Sequence, residues 1–505
     1  MYHTKNFFRV FLLTAFCVLT TVPLVASSYS RGMSQFMRKN YDEARTLLNQ
    51  AVEEDPSNGN AYYYLGEIEK NTKNYPTAID YYLKALDNRL NQKYVKLTYW
   101  NLIILTEQRN DLNAMVKTCK SFYRKTGDRG AMEKVNSLIN KMLWTNNQDA
   151  ISEYNLGKTA LASNRTEDAA GHFRNALRED SSFLAPRFEL GMIAHKNGDV
   201  NEAVQQLHVI ADRIPFYTSV QQLTADMYMK LRAWSNAKRY YTNIIEYGFI
   251  NQETLRSVLI RRSQSSFQLR RYSDAEDDIL RAQAIRETAK PKTVLSAIYI
   301  KQRRYDDALA ILKELDTAYP NNPDIDYQIG SLYYKKGDKS YRDYFRSLYG
   351  LTRRQRTLPD KYLKVYLILA NDAYSRGNMA EAAPLFSRIP GGMLSYDEKI
   401  AAASSFYDQK NYMDARDILS ETVLTDRDKL LLSRAYVKTG ELENARAVLK
   451  PIVLSSPMKD AVMEDPVLKQ TADSILEEEQ RRQEEEERRR QERLEEASAG
   501  DQPSE

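Results

Sequence analysis

Apolar and polar residues alternate at helical spacing along most of this chain, and the alternation is tied to one recurring phrase. The phrase is an aromatic or apolar residue, two loosely polar positions, then alanine. It reads Tyr41-Asp42-Glu43-Ala44, Tyr75-Pro76-Thr77-Ala78 and Trp234-Ser235-Asn236-Ala237. It returns as Tyr272-Ser273-Asp274-Ala275, Tyr305-Asp306-Asp307-Ala308 and Tyr412-Met413-Asp414-Ala415, with weaker copies ending at Ala169, Ala203, Ala382 and Ala445. Ala44 to Ala78, Ala169 to Ala203 and Ala203 to Ala237 are each 34 residues; Ala275 to Ala308 and Ala382 to Ala415 are 33. A period of this length marks stacked helix pairs, none of which buries its apolar face alone.

Other residues keep the same register. Leu65-Gly66, Ala78, Tyr82 and Ala85 recur as Leu156-Gly157, Ala169, Phe173 and Ala176. Leu190-Gly191, Ala203 and Leu207 follow, then Tyr228, Ala237 and Tyr241, then Ile329-Gly330 and Tyr333, where Arg342 stands in place of the second-helix alanine. Pro56, Pro215 and Pro320 fall at the close of repeats. This pattern resembles the tetratricopeptide repeat, a helix–turn–helix, over about Ser28 to Lys459. The resemblance implies an all-α solenoid, a right-handed superhelix of helix–turn–helix repeats. In such a body the helix A glycines let helix B approach closely, and the small alanines receive large side chains. Gly198-Asp199, Gly337-Asp338 and Gly377-Asn378 supply a left-handed stop residue and then a cap.

The register breaks twice. Ala114 to Ala169 is 55 residues, and the excess reads as one added amphipathic helix with Val135, Leu138, Ile139, Met142 and Leu143 on its apolar side. The second break, around Lys339–Pro359, carries a basic and aromatic helix B. The ends are different material. Met1–Ser28 reads as an export signal: Lys5 and Arg9, an uncharged apolar run Val10–Val25, then Ala26-Ser27-Ser28. An uncleaved N-terminal anchor is the alternative. After Pro466 the chain is a charged helix with acid-first i,i+4 pairs, Glu477–Arg481, Glu478–Arg482, Glu484–Arg488, Glu485–Arg489 and Glu486–Arg490. It lacks an apolar heptad, so it reads as a solvated single helix rather than a coiled coil. The expected organisation is therefore a signal over 1–28, repeats over 29–128, a junction helix over 129–149, repeats over 150–460, a charged helix over 461–497 and a disordered tail over 498–505.

Composition sharpens this picture only in places. The 505 residues carry 73 Lys+Arg against 68 Asp+Glu, and 42% are hydrophobic, which supplies a substantial core. From Leu476 onward 12 acids face 6 arginines, so the positive charge belongs to the repeats. Two cysteines form no disulfide framework. The outlying number is 35 Tyr against 15 Phe. No phosphate loop, HExxH or GxSxG motif occurs; Gly337-Asp338-Lys339-Ser340 lacks the upstream glycine and reads as a repeat turn. His172, His195 and His208 fall in neighbouring helices and read as exposed histidines. We expect no catalytic residue, metal or cofactor.

The resemblance places partner binding on a concave surface lined by helix A. Its fifth position holds Tyr63, Tyr99, Tyr154, Phe188 and Tyr327, and its twelfth holds Phe267, Tyr334, Tyr374 and Tyr407. Aromatic rings give contact area with few rotors to fix, which suits peptide or glycan recognition. Packing between repeats is the competing role for the same rings. A carboxylate clamp would need Lys at position five and Asn at position nine; Glu67, Lys158, Met192 and Asp226 stand at the latter, so clamp function is not implied. A basic belt, Arg261, Arg262, Arg270, Arg271, Arg303 and Arg304, continues into Arg342, Arg346, Arg353, Arg354 and Arg356. It suits acidic protein, anionic glycan or peripheral contact with a membrane; nucleic acid is not expected for an exported chain. The sequence thus reads as an exported, periplasmic or outer-membrane-associated scaffold for envelope-assembly proteins, with a glycan- or lipid-binding protein as the alternative.

Overall fold

The computed structural model describes Ser27–Ala499, with side chains to Glu495; the expected export segment up to Ala26 and the end of the expected tail, from Gly500, lie outside the described residues. The described residues form helices joined by short turns, with no strand among them. They fall in two compact units, divided after Pro291. In the first, Ser28–Met37 pairs with Tyr41–Glu54, Gly59–Asn71 with Tyr75–Asp87, and Gln92–Gln108 with Leu112–Thr126. A lone helix, Arg129–Leu143, follows. Then come Gln148–Ala162 with Thr166–Glu179, Leu184–Lys196 with Val200–Arg213, Thr218–Lys230 with Trp234–Tyr247, and Gln252–Gln268 with Tyr272–Ile285. The second unit continues with Tyr305–Ala318, then Pro323–Lys335 with Tyr341–Thr352, Asp360–Ser375 with Met379–Phe386, Tyr396–Asp408 with Tyr412–Ser420, and Asp426–Thr439 with Leu442–Ser455. Ala289–Lys301 crosses the division, and Lys459–Met463 and Lys469–Ala499 close the chain.

Each pair is made by one turn. After Gly59–Asn71, Lys73 takes φ 64°. Its N–H donates to the Lys70 carbonyl at 3.1 Å, and the Asn74 N–H reaches back to the Glu69 carbonyl at 2.8 Å. This is a Schellman stop, which satisfies the last carbonyls of helix A while reversing the chain. Gly198, Gly337, Gly377 and Gly440 hold the same conformation in their turns. So do Lys39, Asn110, Asn164, Arg232, Arg270, Arg303 and Lys410, where the sequence offers no glycine to mark them.

The turn sets helix B against a notch in helix A. A Cβ added at Gly66 would lie 2.8 Å from the Tyr82 ring, at Gly157 2.6 Å from Phe173, and at Gly191 2.6 Å from Leu207. Gly330 receives Phe345 in the same way, and Gly32 receives Leu48. Counting back from Phe345 puts Tyr341 at the alanine position and turns Arg342 outward, because this connection is one residue shorter from notch to filler. The anchor alanines 44, 78, 169, 203, 237, 275, 308, 382, 415 and 445 are wholly buried.

Two contacts depart from simple neighbour stacking. In the first unit the helix Leu112–Thr126 packs on Trp234–Tyr247, far along the chain. Lys120, almost wholly buried, donates its ammonium to the Ile245 carbonyl at 2.5 Å and the Glu246 carbonyl at 3.1 Å. A cation at those last carbonyls also meets the negative end of the helix dipole. Lys117 lies 3.4 Å from Glu246, and Tyr123 meets Phe249 edge-on at 5.7 Å. In the second unit the charged helix is not solvated from its start. Ala472 and Ile475 are buried in a cluster with Leu449, Ile452 and Val453. Glu478 turns to Arg446 rather than along its own helix, Glu479 is shared between Lys450 and Arg482, and Glu477–Arg481 forms as an i,i+4 pair at 3.8 Å.

Candidate functional site

The fifth-position aromatics face the next repeat. Tyr63, only 7% exposed, stacks on Tyr94 with centroids 4.5 Å apart. Tyr154 is half-buried among Trp144, Phe173 and Phe183, and its hydroxyl donates to Glu189 at 3.3 Å. Phe188 stacks on Tyr217 at 6.2 Å, and Tyr327 meets Tyr362 at 6.0 Å with Lys361 over its ring. In each case the ring reaches an aromatic at the entry to the following helix A. Burial first, then the nearby Glu67 or Glu189 carboxylate, pushes the Tyr63 and Tyr154 phenols well above their ordinary range.

Tyr99 does not belong to that row. It lies in the core, stacked on Phe122 at 4.9 Å. Helix Gln92–Gln108 is longer than the preceding first helix, Gly59–Asn71, so counting back from Ala114 lands two residues late. The register is fixed instead by Glu67, which accepts from the Asn101 amide at 2.6 Å, 34 residues on, as well as from Tyr82 at 2.6 Å and Lys70 at 2.7 Å. The residue equivalent to Tyr63 is then Leu97. Leu97 is 52% and Ile104 48% exposed, and with Asn101 they form one stripe at i, i+4, i+7. Counting forward from Tyr63 would have found it.

The twelfth-position aromatics mostly fold over their own turn. Phe267 packs on Tyr272 at 5.6 Å, Tyr334 on Tyr341 at 5.1 Å, and Tyr407 on Tyr412 at 5.1 Å. Tyr374 lies partly buried against the core of the second unit. Tyr334 keeps 48% of its surface in solvent. Burial, then Tyr412, raises the Tyr407 phenol.

The basic belt divides by use. Arg342 forks onto Asp372 at 2.6 and 3.0 Å, Arg346 reaches Glu381 at 2.8 Å, and Arg376 joins both acids. The hydrogen bond to Asp372 raises the Arg342 guanidinium above its ordinary range, and that to Glu381 does the same for Arg346. These arginines tie one repeat to the next. Arg262 is likewise spent on buried Asp278 at 2.6 Å, and Arg261 on Asp226 at 3.1 Å. Arg353, Arg354 and Arg356 stand exposed on the following loop, without an ion pair among the described residues.

A groove of about 620 Å³ opens in the first unit between the lone helix Arg129–Leu143 and residues 216–222. Val135, Ile139, Phe216 and Phe249 form its floor; Asn136, Asn140 and Gln222 are on its rim. His172 is 2.9 Å from Glu153, and His208 Nδ1 2.9 Å from the Val204 carbonyl of its own helix. Among the described residues no group of three or more His, Cys, Asp or Glu is placed to hold a metal, and no helix is long and apolar enough to cross a membrane.

The tetratricopeptide repeat family model matches residues 29–91 and 154–217. No curated protein matches the chain. Among solved structures, a tetratricopeptide repeat protein from Parabacteroides merdae is 16% identical over 56% of this chain and 98% of its own, with a TM-score of 0.32. YrrB, described as a TPR protein with an unusual peptide-binding site, is 14% identical over 37% of this chain and 95% of its own, at 0.30. Yeast Tom70 is 15% identical over 88% of this chain and 97% of its own, at 0.28. Overlays this loose have no bearing on how this chain works. The two matched stretches have the same helix pair and left-handed turn that recur between and beyond them, and the chain belongs to the tetratricopeptide repeat family.

Proposed function

We propose that this chain is a non-catalytic scaffold that binds other proteins through peptide segments, acting after export and in cell-envelope assembly. The observation that carries the binding role is the repetition itself. Helix pairs that spend their small and aromatic residues on one another leave a repeated series of A-helix faces without a structural task. Leu97 and Ile104, exposed on either side of the repeat-tying Asn101, make such a face. Export rests on the charge and apolar pattern of residues 1–28, and the envelope role rests on export. Mass spectrometry of the native N-terminus tests export: a start near Ser28 is expected, and an intact Met1 on a membrane-bound chain would replace the signal with an anchor. Cross-linking in cells tests the scaffold. Leu97→Asp with Ile104→Asp should abolish the cross-linked protein partners while the melting temperature stays unchanged. Retention of all partners would remove this stripe from the reading, and recovery of glycan or lipid in place of protein would overturn the scaffold.

A further inference from the structure

We propose that the groove between the lone helix Arg129–Leu143 and the start of the A helix Thr218–Lys230 is a second binding site, apart from the Leu97–Ile104 stripe, and that it takes an uncharged, extended peptide segment. The proposal rests on the interaction role above, but on different residues. None of the side chains lining this groove carries a formal charge at neutral pH, in a chain of which 28% is Asp, Glu, Lys or Arg. A charged occupant would lose its water there and gain no counter-charge, so charge complementarity selects a neutral one.

Three side-chain amides line the groove, beside the hydroxyls of Tyr217, Thr218 and Ser219. Asn136 and Asn140 are exposed and lie one turn apart on the same face of their helix, with Gln222 contributed by the helix Thr218–Lys230. One turn of four residues rises about 6 Å. Two residues of an extended strand advance about 6.6 Å. Side-chain amides at that interval therefore meet every second peptide group of an extended segment, each offering both a donor and an acceptor. The floor between them, Val135, Ile139 and Phe216, is nearly buried and apolar, and it suits the alternate side chains that an extended strand points downward. Phe249, also on the floor, is held by Tyr123 of the returning helix Leu112–Thr126. The nominated Phe188 takes part indirectly, through its stack on the groove residue Tyr217.

The test uses a phage-displayed library of random twelve-residue peptides, panned against the full chain. The expected result is enrichment of peptides with an uncharged core segment, and a loss of about tenfold or more in their affinity for Asn136→Ala with Asn140→Ala, as for the removal of two amide pairs. Both asparagines are exposed, so the variant keeps its fold; a circular dichroism melt confirms this. Leu97→Asp with Ile104→Asp should leave the same peptides bound. If peptides bind but ignore the asparagine variant, this groove falls and the scaffold reading stands. If those retained are acidic or basic throughout, the neutral-segment assignment is overturned. If no peptide is enriched on the wild-type chain, both readings fall together.

Discussion

A side chain in left-handed backbone carries a steric cost of about 1–2 kcal/mol, against about 0.5–1 kcal/mol for the extra freedom a glycine must give up. Lys73 at φ 64° and Gly198 at φ 81° do the same work in their turns from opposite sides of that balance. Lys73→Gly should therefore raise stability by about 0.5 kcal/mol, and Gly198→Ala should lower it by about 1 kcal/mol, as read from urea midpoints. A Cβ at Gly198 meets nothing within 4 Å, so backbone strain alone is measured there. The glycine turns could be read from the sequence, but the lysine, arginine and asparagine turns could not. Their side chains face solvent and leave no trace beyond the period. Aromatic positions show a similar limit. That Tyr154 falls on a repeated position is plain in the sequence, yet whether it binds a partner or a neighbour depends on Trp144, Phe173 and Phe183 arriving around it. With that cluster in place, Tyr154→Ala should cost about 2–3 kcal/mol in a thermal melt, somewhat below a fully buried aromatic.

Helices carry a second kind of information, their length, which the repeat period hides. Gln92–Gln108 exceeds its neighbours, and the excess moved the inward position from Tyr99 to Leu97. The last helix shows the same point from its other end. Its composition announces a solvated rod, and from Arg481 to Glu495 nearly every side chain is exposed. Its first turns nevertheless cover the final repeat, as a capping element must, because the last apolar face of a stack has no following repeat to bury it. Ile475→Asp should expose that face and lower the melting temperature, by about 2 kcal/mol or more for a buried charge without a partner. Ending the chain after Gln480 should leave the melting temperature nearly unchanged, since Arg446–Glu478 and Lys450–Glu479 are kept and only exposed pairs are lost.

At the scale of the molecule, periodic sequence describes neighbours and nothing more distant. The return of Leu112–Thr126 onto Trp234–Tyr247 therefore has no signature in the repeat, although the added helix that permits it could be read from the 55-residue gap. Its pH response separates it from the tyrosines that hold the repeats together. Burial, with Arg124 adding repulsion, lowers the Lys120 amine from 10.5 to about 8. Between those values the unfolded chain binds the proton and the folded chain does not, so Lys120 makes the fold more stable as pH rises from 8 toward 10. The tyrosines act in the opposite sense and in greater number. Burial raises the phenols of Tyr63, Tyr82, Tyr154, Tyr240, Tyr241 and Tyr362 above their ordinary 10, and a carboxylate beside each adds to the rise. Tyr82 donates to Glu67 at 2.6 Å, Tyr240 to Asp212 at 2.8 Å and Tyr241 to Asp226 at 2.5 Å, so each hydroxyl must keep its proton for the contact to hold. Their stability is fully present below pH 10 and is lost above it, where the unfolded chain ionises first. The fold should therefore give way in one alkaline step above pH 10, with tyrosinate absorbance rising as helical circular dichroism falls. Tyr82→Phe and Tyr241→Phe, which cannot ionise, should each move that step to higher pH while losing a hydrogen bond at neutral pH. Ionisation of every tyrosine with the helices intact would show that the hydroxyl–carboxylate contacts do not bind the repeats together.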